Sequence, residues 1–407
     1  MQSDATSWIE LYPLAQANLR RRSELQAIVG AKAWRWAGWL TRLARSYGML
    51  SAVYANEHNH WPLATAEAPL YAFAHKKFHD VPAITIYMLA RPLTHFHHVT
   101  IIGQAGIHSA VYPYTEWIPG FLKAPLLDPF AVQAARILSW PIKDLFNSVN
   151  TYAVYREQDM PATVAQYESI HFGGQRILGM DYEAYRQMAR QKTRSSLVRV
   201  MQDISELNRS LVIAPEGGYC FDGTIQKMQD FLAFTALKKN RRTLPCTISY
   251  DELCPDTMGR IDCYVHTGAP LDPPAGKTDT QRWSQDLQRI LTQNTTIVAS
   301  QLIAAVLWKH RAQGRIGVDE LGAQFHQLAQ RMSAISHLQL APGLLTSKTR
   351  ERSLRRFLRS VGRKWLRRRG STYIYNQDKM DSFTAKERTV GNLEWNYNHI
   401  AWLVADW

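Results

Sequence analysis

A chain of 407 residues, 46% hydrophobic and 20% charged, can build a sizeable core in two or three structural units, and this composition excludes a disordered or fibrous protein. Its formal net charge of +14 is concentrated: residues 348–369 hold eleven Lys or Arg against one Glu, +10 of the total, leaving +4 for everything else. Its four cysteines, Cys220, Cys246, Cys254 and Cys263, form no C-x-x-C pair and lack the common zinc spacings, and no signal-peptide pattern opens the chain, so they read as buried or incidental thiols in a reducing cytosol.

Residues 1–68 are expected to form an amino-terminal helical segment. Within it Trp36, Trp39, Leu40 and Leu43 recur at helical spacing, while Arg42 and Arg45 fall largely elsewhere on the wheel. Trp beside Arg on such a helix suits a bilayer interface or packing on the next domain. From 69 to 271 the pattern becomes strand, loop, helix, repeated. An apolar strand at 70–74 ends at His75, and another at 151–155 ends at Arg156. Leu197, Val200, Met201, Ile204 and Leu207 mark one helix face. The turn Asn208-Arg209-Ser210 leads into a strand at 211–214 that meets Pro215-Glu216-Gly217-Gly218, and a fourth strand at 244–250 precedes Asp251-Glu252. Strands alternating with helices predict an α/β fold with a largely parallel sheet. Ligands bind such sheets at the carboxyl ends of strands. His75, Arg156 and Glu216 each lie just past such an end, so they can share a cleft.

The stretch Asp272-Pro273-Pro274-Ala275-Gly276 reads as a linker into a carboxyl-terminal helical region, 272–407, with an apolar helix at 297–309 and an amphipathic one at 319–335. Leu354, Phe357, Leu358, Val361 and Trp365 then predict one basic amphipathic helix over 348–369, apolar on one face and dense with Arg on the other. Such a helix suits anionic lipid, where each nearby basic residue contributes about 1 kcal/mol, or docking on the protein's own acidic surface. The apolar face, and the lack of a nucleic-acid motif elsewhere, argue against nucleic acid as the partner. The longest run free of Asp, Glu, Lys and Arg, 92–115, is too interrupted by His, Gly and Gln104 to span a bilayer. Membrane contact is therefore expected to be peripheral.

Two segments carry chemistry. In Ala74-His75-Lys76-Lys77-Phe78-His79-Asp80 a His and an Asp stand five positions apart in a turn after a strand. A carboxylate so placed can hold the imidazole in one tautomer and stabilise the imidazolium, which suits His75 to act as general base on a hydroxyl. In Pro215-Glu216-Gly217-Gly218 the glycines allow close backbone approach and can turn N–H groups toward an anion or developing oxyanion. His75 and His79 stand at i, i+4, with His95, His97 and His98 following, but Lys76 occupies the place where a zinc hydrolase has Glu, so no metal is expected. No G-x-S-x-G, P-loop or G-x-G-x-x-G occurs.

His75 to Asp80 resembles the His-four-residues-Asp motif of the glycerol-3-phosphate and lysophosphatidate acyltransferases. Val154-Tyr155-Arg156, Pro215-Glu216-Gly217-Gly218 and Leu244-Pro245-Cys246-Thr247-Ile248-Ser249-Tyr250 are similar to the later blocks, in the same order. The resemblance implies one-step transfer of an acyl group from acyl-CoA or acyl carrier protein to a glycerol hydroxyl, without metal, other cofactor or acyl-enzyme, at the cytoplasmic face of a membrane. It implies that His75 takes the proton and Asp80 orients it. Arg156 would help bind the acceptor's phosphate, in a pocket shaped by Glu216, Gly217 and Gly218. The block after Gly218 departs from the family: Tyr219-Cys220-Phe221 stand where an arginine usually follows. That loss removes a forked phosphate partner, which Lys76 or Lys227 would have to replace, or else the acceptor is another lipid alcohol or amine. A scaffold that binds lipid without catalysis is the non-enzyme alternative. The second departure is a long gap between the first two blocks, filled by Tyr112, Tyr114, Trp117, Phe121, Leu126 and Leu127, expected to touch lipid or to form a core insertion. The Glu-Gly-Gly block and the helical tail lean toward the glycerol-3-phosphate branch.

Overall fold

The computed structural model describes residues 8–46, 49–56, 68–77, 79–92, 98–104, 109–155, 160–169, 174–218, 220–382, 388–405 and 407. Eight strands make the main sheet: β1 (Trp8–Glu10), β2 (Leu50–Asn56), β3 (Leu70–Phe73), β4 (Val99–Gln104), β5 (Thr151–Val154), β6 (Ser210–Ile213), β7 (Thr243–Tyr250) and β8 (Ile261–Thr267). Their spatial order is β1-β2-β8-β7-β3-β6-β4-β5. The run β7-β3-β6-β4-β5 is parallel throughout. β8 is antiparallel to β7, β2 is parallel to β8, and β1 is antiparallel to β2. The protein is α/β with a large, mostly parallel sheet flanked by helices.

The central strands are apolar along their whole length because both faces are covered. In β3 the pleat sends Leu70 and Ala72 one way and Tyr71 and Phe73 the other. Leu70 and Ala72 pack with Val200, Ile204, Leu232, Ala236, Leu287 and Leu291, from the helices Tyr182–Glu206, Asp230–Lys239 and Thr280–Gln293. Tyr71 and Phe73 pack with Leu11, Ala15, Ala83 and Ile86, from the helices Leu11–Arg20 and Asp80–Leu89. The four strands predicted at 70–74, 151–155, 211–214 and 244–250 are β3, β5, β6 and β7.

Three predicted features differ. The segment 1–68 holds the helices Leu11–Arg20, Arg22–Val29 and Ala31–Ser46, but β1 and β2 belong to the sheet. β2 is buried at Leu50, Ala52, Val53 and Ala55, and its alanines give a weak strand signal. The carboxyl-terminal region is not wholly helical either: β9 (Arg315–Gly317), β10 (Leu366–Arg369) and β11 (Thr372–Tyr375) form an antiparallel sheet in the order β10-β11-β9. The stretch 348–369 divides into the helix Ser347–Arg359, the short helix Gly362–Trp365 and β10. Leu354, Phe357 and Trp365, the apolar face proposed for lipid, are buried in a core with Leu302, Phe325 and Leu328. Arg350 is buried as well, and Arg356 pairs with Asp262 at 3.0 Å. The apolar stripe is satisfied by the protein itself. Among the described residues no helix is long and apolar enough to cross a membrane.

Candidate active site

β3 ends at Phe73 and the helix Asp80–Leu89 is the next element in the chain. Asp80 therefore opens a helix, where the macrodipole favours a carboxylate. Its Oδ2 accepts a hydrogen bond from His75 Nδ1 at 2.6 Å and from the backbone N–H groups of Lys76 at 2.6 Å and Lys77 at 3.0 Å. Its Oδ1 accepts from the Tyr250 hydroxyl. Burial by itself would push the Asp80 carboxyl up, but the bonds from His75, Tyr250 and the Lys77 N–H outweigh it and hold the group below the ordinary carboxylate range. Asp80 stays an anion. An anionic acceptor at Nδ1 assigns the proton to that nitrogen, so the neutral imidazole carries its lone pair on Nε2. The side chain of Asp80 is 1% exposed and that of His75 26%: the carboxylate is sealed and the imidazole meets the surface.

The Glu216 loop is brought to His75 by strand order, since β6 lies beside β3. Gly217 has φ +74°, a left-handed conformation that favours glycine, and its N–H donates to the Ala214 carbonyl at 3.0 Å. Gly218 is half-buried in the same turn. The Cys220 N–H then donates to the carbonyl of His75 at 2.7 Å, tying the two loops together. Glu216 is buried; Oε1 accepts from Cys220 Sγ at 3.7 Å, and Oε2 has no hydrogen-bond partner among the described residues. Burial raises its pKa to about 8, so it is a neutral acid at pH 7. Lys76 is also buried, which lowers its pKa. That corrects the expectation of Lys76 as a charge for an external phosphate.

Several residues around the pair carried no individual role in the sequence. Tyr250, at the end of β7 on the other side of β3, supplies a donor to Asp80. Glu252 accepts from Lys77 Nζ and, through both oxygens, from Arg388 Nη2 at 2.9 and 2.8 Å. Burial opposes its ionisation, but Lys77 and Arg388 hold it well below the usual carboxylate range. Lys77 Nζ also lies 4.0 Å from the Tyr250 ring centroid. His79 is lowered to about 4 by burial and by Lys77, so it stays neutral. The position of Tyr250-Asp251-Glu252 at a predicted strand end was the available signal for Tyr250 and Glu252. Nothing local marks Arg388.

Arg156, Tyr219, His95 and His97 lie outside the described residues. β5, which precedes Arg156, is three strands from β3 in the sheet, about 14 Å at ordinary strand spacing. The loops of His75 and Glu216 are thus neighbours, whereas β5 is the far edge strand. Among the described residues no group of three or more His, Cys, Asp or Glu could hold a metal ion.

A groove of about 1370 Å³ is lined by residues of the helix Ala31–Ser46 and the helix Asp128–Ser148, with Trp36, Trp39, Leu40, Tyr112 and Leu145 in its walls. Val81, the residue after Asp80, belongs to the same wall. On the helix Asp128–Ser148 and the turn before it, Phe121, Leu126, Phe130, Ile137 and Trp140 are exposed, Leu126 by 90% and Trp140 by 76%.

No protein-family model matches the chain, and no curated protein sequence does. Among solved structures the chain is similar to the 1-acyl-sn-glycerophosphate (LPA) acyltransferase PlsC from Thermotoga maritima, over 68% of this chain and 93% of that one, at 11% identity and a TM-score of 0.33. A likeness this loose carries no argument about the reaction, which rests on the residues themselves.

Proposed function

We propose that the protein is an O-acyltransferase that moves a fatty acyl group from acyl-CoA or acyl carrier protein to a hydroxyl of glycerol-3-phosphate or a lysophospholipid. The observation that carries this is the sealed, four-donor carboxylate of Asp80 holding Nδ1 of a partly exposed His75. His75 Nε2 takes the proton of the acceptor hydroxyl as its oxygen attacks the thioester carbonyl. The tetrahedral intermediate collapses, the C–S bond breaks, and the departing thiolate takes the proton back from the imidazolium. Asp80 stabilises the imidazolium between those steps without becoming protonated. The groove that includes Val81 supports a place for the acyl chain, and Gly217 and Gly218 frame the neighbouring loop over the buried Glu216.

The acceptor need not carry a phosphate, and one observation favours that second version. Near His75, Lys76 is buried, while Lys77 and Arg388 are both engaged by Glu252. A phosphate would then depend on Arg156, or on cations farther off.

The protein would work as a peripheral partner of anionic lipid at the cytoplasmic face of a membrane. The exposed apolar residues of the helix Asp128–Ser148 and the turn before it support this contact, with Arg35 and Arg42 on the neighbouring helix supplying charge for anionic headgroups. The arginines of β10 are exposed and add charge without an apolar face.

Purified protein incubated with labelled acyl-CoA or acyl carrier protein, and with glycerol-3-phosphate, lysophosphatidate or neutral lysolipids in turn, should yield product with at least one pair. His75→Ala should lower turnover by about 10²–10⁴-fold with the fold retained. Full turnover by that variant would remove the assignment, and wild-type inactivity with every pair would favour a lipid-binding scaffold.

A further inference from the structure

We propose that the carboxyl-terminal segment of Arg388, Thr389 and the helix Asn392–Asn398 positions the catalytic pair, clasping the His75 loop and the Glu216 loop together. The inference rests on the acyl-transfer function proposed for that pair. Two chains of contacts run from this segment to His75, one ending at its imidazole through Asp80 and the other at its backbone carbonyl.

The first chain starts at Arg388, buried in the fold, whose guanidinium is bonded to both oxygens of Glu252. Glu252 accepts from Lys77 Nζ. The backbone N–H of Lys77 donates to Asp80 Oδ2, the oxygen that holds His75 Nδ1. The second starts at Trp395, 1% exposed, whose Nε1–H donates to the Cys220 carbonyl at 3.0 Å. The N–H of that same residue donates to the His75 carbonyl at 2.7 Å. So one chain fixes the imidazole through Asp80 and the other fixes the backbone of His75. The Arg388 guanidinium carbon lies 3.7 Å from the Trp395 ring centroid and Nη1 bonds Asn392 Oδ1 at 2.8 Å, which locks the two chains to each other.

The same segment follows the Glu216 loop residue by residue. Thr389 N–H donates to the Phe221 carbonyl at 3.0 Å, Asn398 Nδ2 to the Asp222 carbonyl at 2.8 Å, and His399 Nδ1 bonds the Gly223 carbonyl. Gly223 has φ +90°, and a Cβ there would lie 2.3 Å from the Trp395 carbonyl oxygen. The loop admits the segment only because this residue is glycine. Strand-end loops have low intrinsic stability, whereas a general base must be held to within a fraction of an ångström. A segment from the other end of the chain, sealed against both loops, meets that need. Arg388 and Trp395 touch no reacting atom and act as positioning residues.

Two variants test this, with His75→Ala as reference. Arg388→Ala should lower kcat by about 10–100-fold while leaving KM for the thioester within about twofold, and Arg388→Lys should recover most of it. Trp395→Phe keeps a ring under the guanidinium but removes the Nε1–H, and should lower kcat by about 3–10-fold. A readout independent of turnover is the low-field proton resonance of His75 Nδ1–H, identified by its loss in His75→Ala. It should be present in the wild type, broadened or lost in Arg388→Ala and Trp395→Phe, and kept in Arg388→Lys. If both variants fold and retain wild-type kcat and resonance, the clasp is overturned. If Arg388→Ala does not fold, Trp395→Phe decides alone by the same two measures. If the wild type transfers no acyl group yet the resonance responds as stated, the clasp stands and the acyl-transfer function falls.

Discussion

Asp80 and Glu216 are both buried carboxyls, yet their surroundings drive them to opposite charge states. Asp80 collects four donors and remains ionised, whereas at Glu216 burial outweighs the backbone N–H groups of Glu216 and His75 and the Cys220 thiol, and Oε2 has no partner among the described residues. Tyr250→Phe should therefore weaken the pair: a hydrogen bond to a charged group is worth about 1.5–3 kcal/mol, so kcat/KM should fall by roughly 10–100-fold, with the circular dichroism spectrum unchanged. Wild-type kinetics in that variant would show that the Tyr250 contact does not matter to the chemistry. The two carboxyls also tilt stability in opposite directions. Asp80, with its folded pKa depressed, contributes stability that is present above its unfolded value and lost as pH falls through the folded one. Glu216, raised from an ordinary 4.5 to about 8, keeps its proton in the native state over a window where the unfolded chain has released it. The native state binds more protons there, so this group makes stability fall as pH rises from about 4.5 to about 8. Urea midpoints measured across that window should decline less steeply for Glu216→Gln than for the wild type.

At the scale of elements, local patterning misassigns the apolar face of one helix. The helix Ser347–Arg359 has the amphipathic period of a lipid anchor, but Leu354 and Phe357 are core residues. Phe357→Ala should cost about 3–5 kcal/mol of stability, read as a shifted denaturation midpoint. The helix Asp128–Ser148 buries Ala131, Val132, Ala135 and Leu145 and turns Phe130, Ile137 and Trp140 outward. The double variant Phe130→Asp, Trp140→Asp should lose most of its binding to anionic vesicles in a sedimentation assay while melting like the wild type. Binding equal to the wild type's would overturn the proposed contact on this helix. Strands β3, β5, β6 and β7 were legible because each is a short apolar run closed by a polar turn. β2 and β8 were not: the alanines of β2 resemble helix, and Asp262 and His266 interrupt β8.

Over the whole molecule, packing explains the four thiols and the reach of the carboxyl terminus. Cys220, Cys246, Cys254 and Cys263 are free and buried, and burial raises the pKa of each. In the native protein they should react with a thiol reagent such as DTNB only at the rate of opening, and all four should react at once in denaturant. Prompt reaction of one thiol in the native state would reveal a route to it absent from this packing. Glu252 joins Lys77 to Arg388, residues more than 300 positions apart, so the candidate site is completed by a part of the chain with no motif of its own.

Local chemistry was enough for the α/β class and for the strand ends that carry His75 and Glu216, and the ordered motifs of the family resemblance singled out the His75–Asp80 pair. These depend on runs of neighbouring residues, and five positions is a distance that a turn closes by itself. Tertiary structure decided the rest. Strand order made the Glu216 loop a neighbour of His75 and left β5 at the edge, and it brought Tyr250 to Asp80. Burial decided that Glu216 is neutral and that Lys76 is withdrawn from solvent. The apolar face of residues 348–369 went to the core because a neighbouring helix was there to receive it. An apolar stripe records only that a helix will leave water; whether lipid or protein takes it depends on what the fold places opposite.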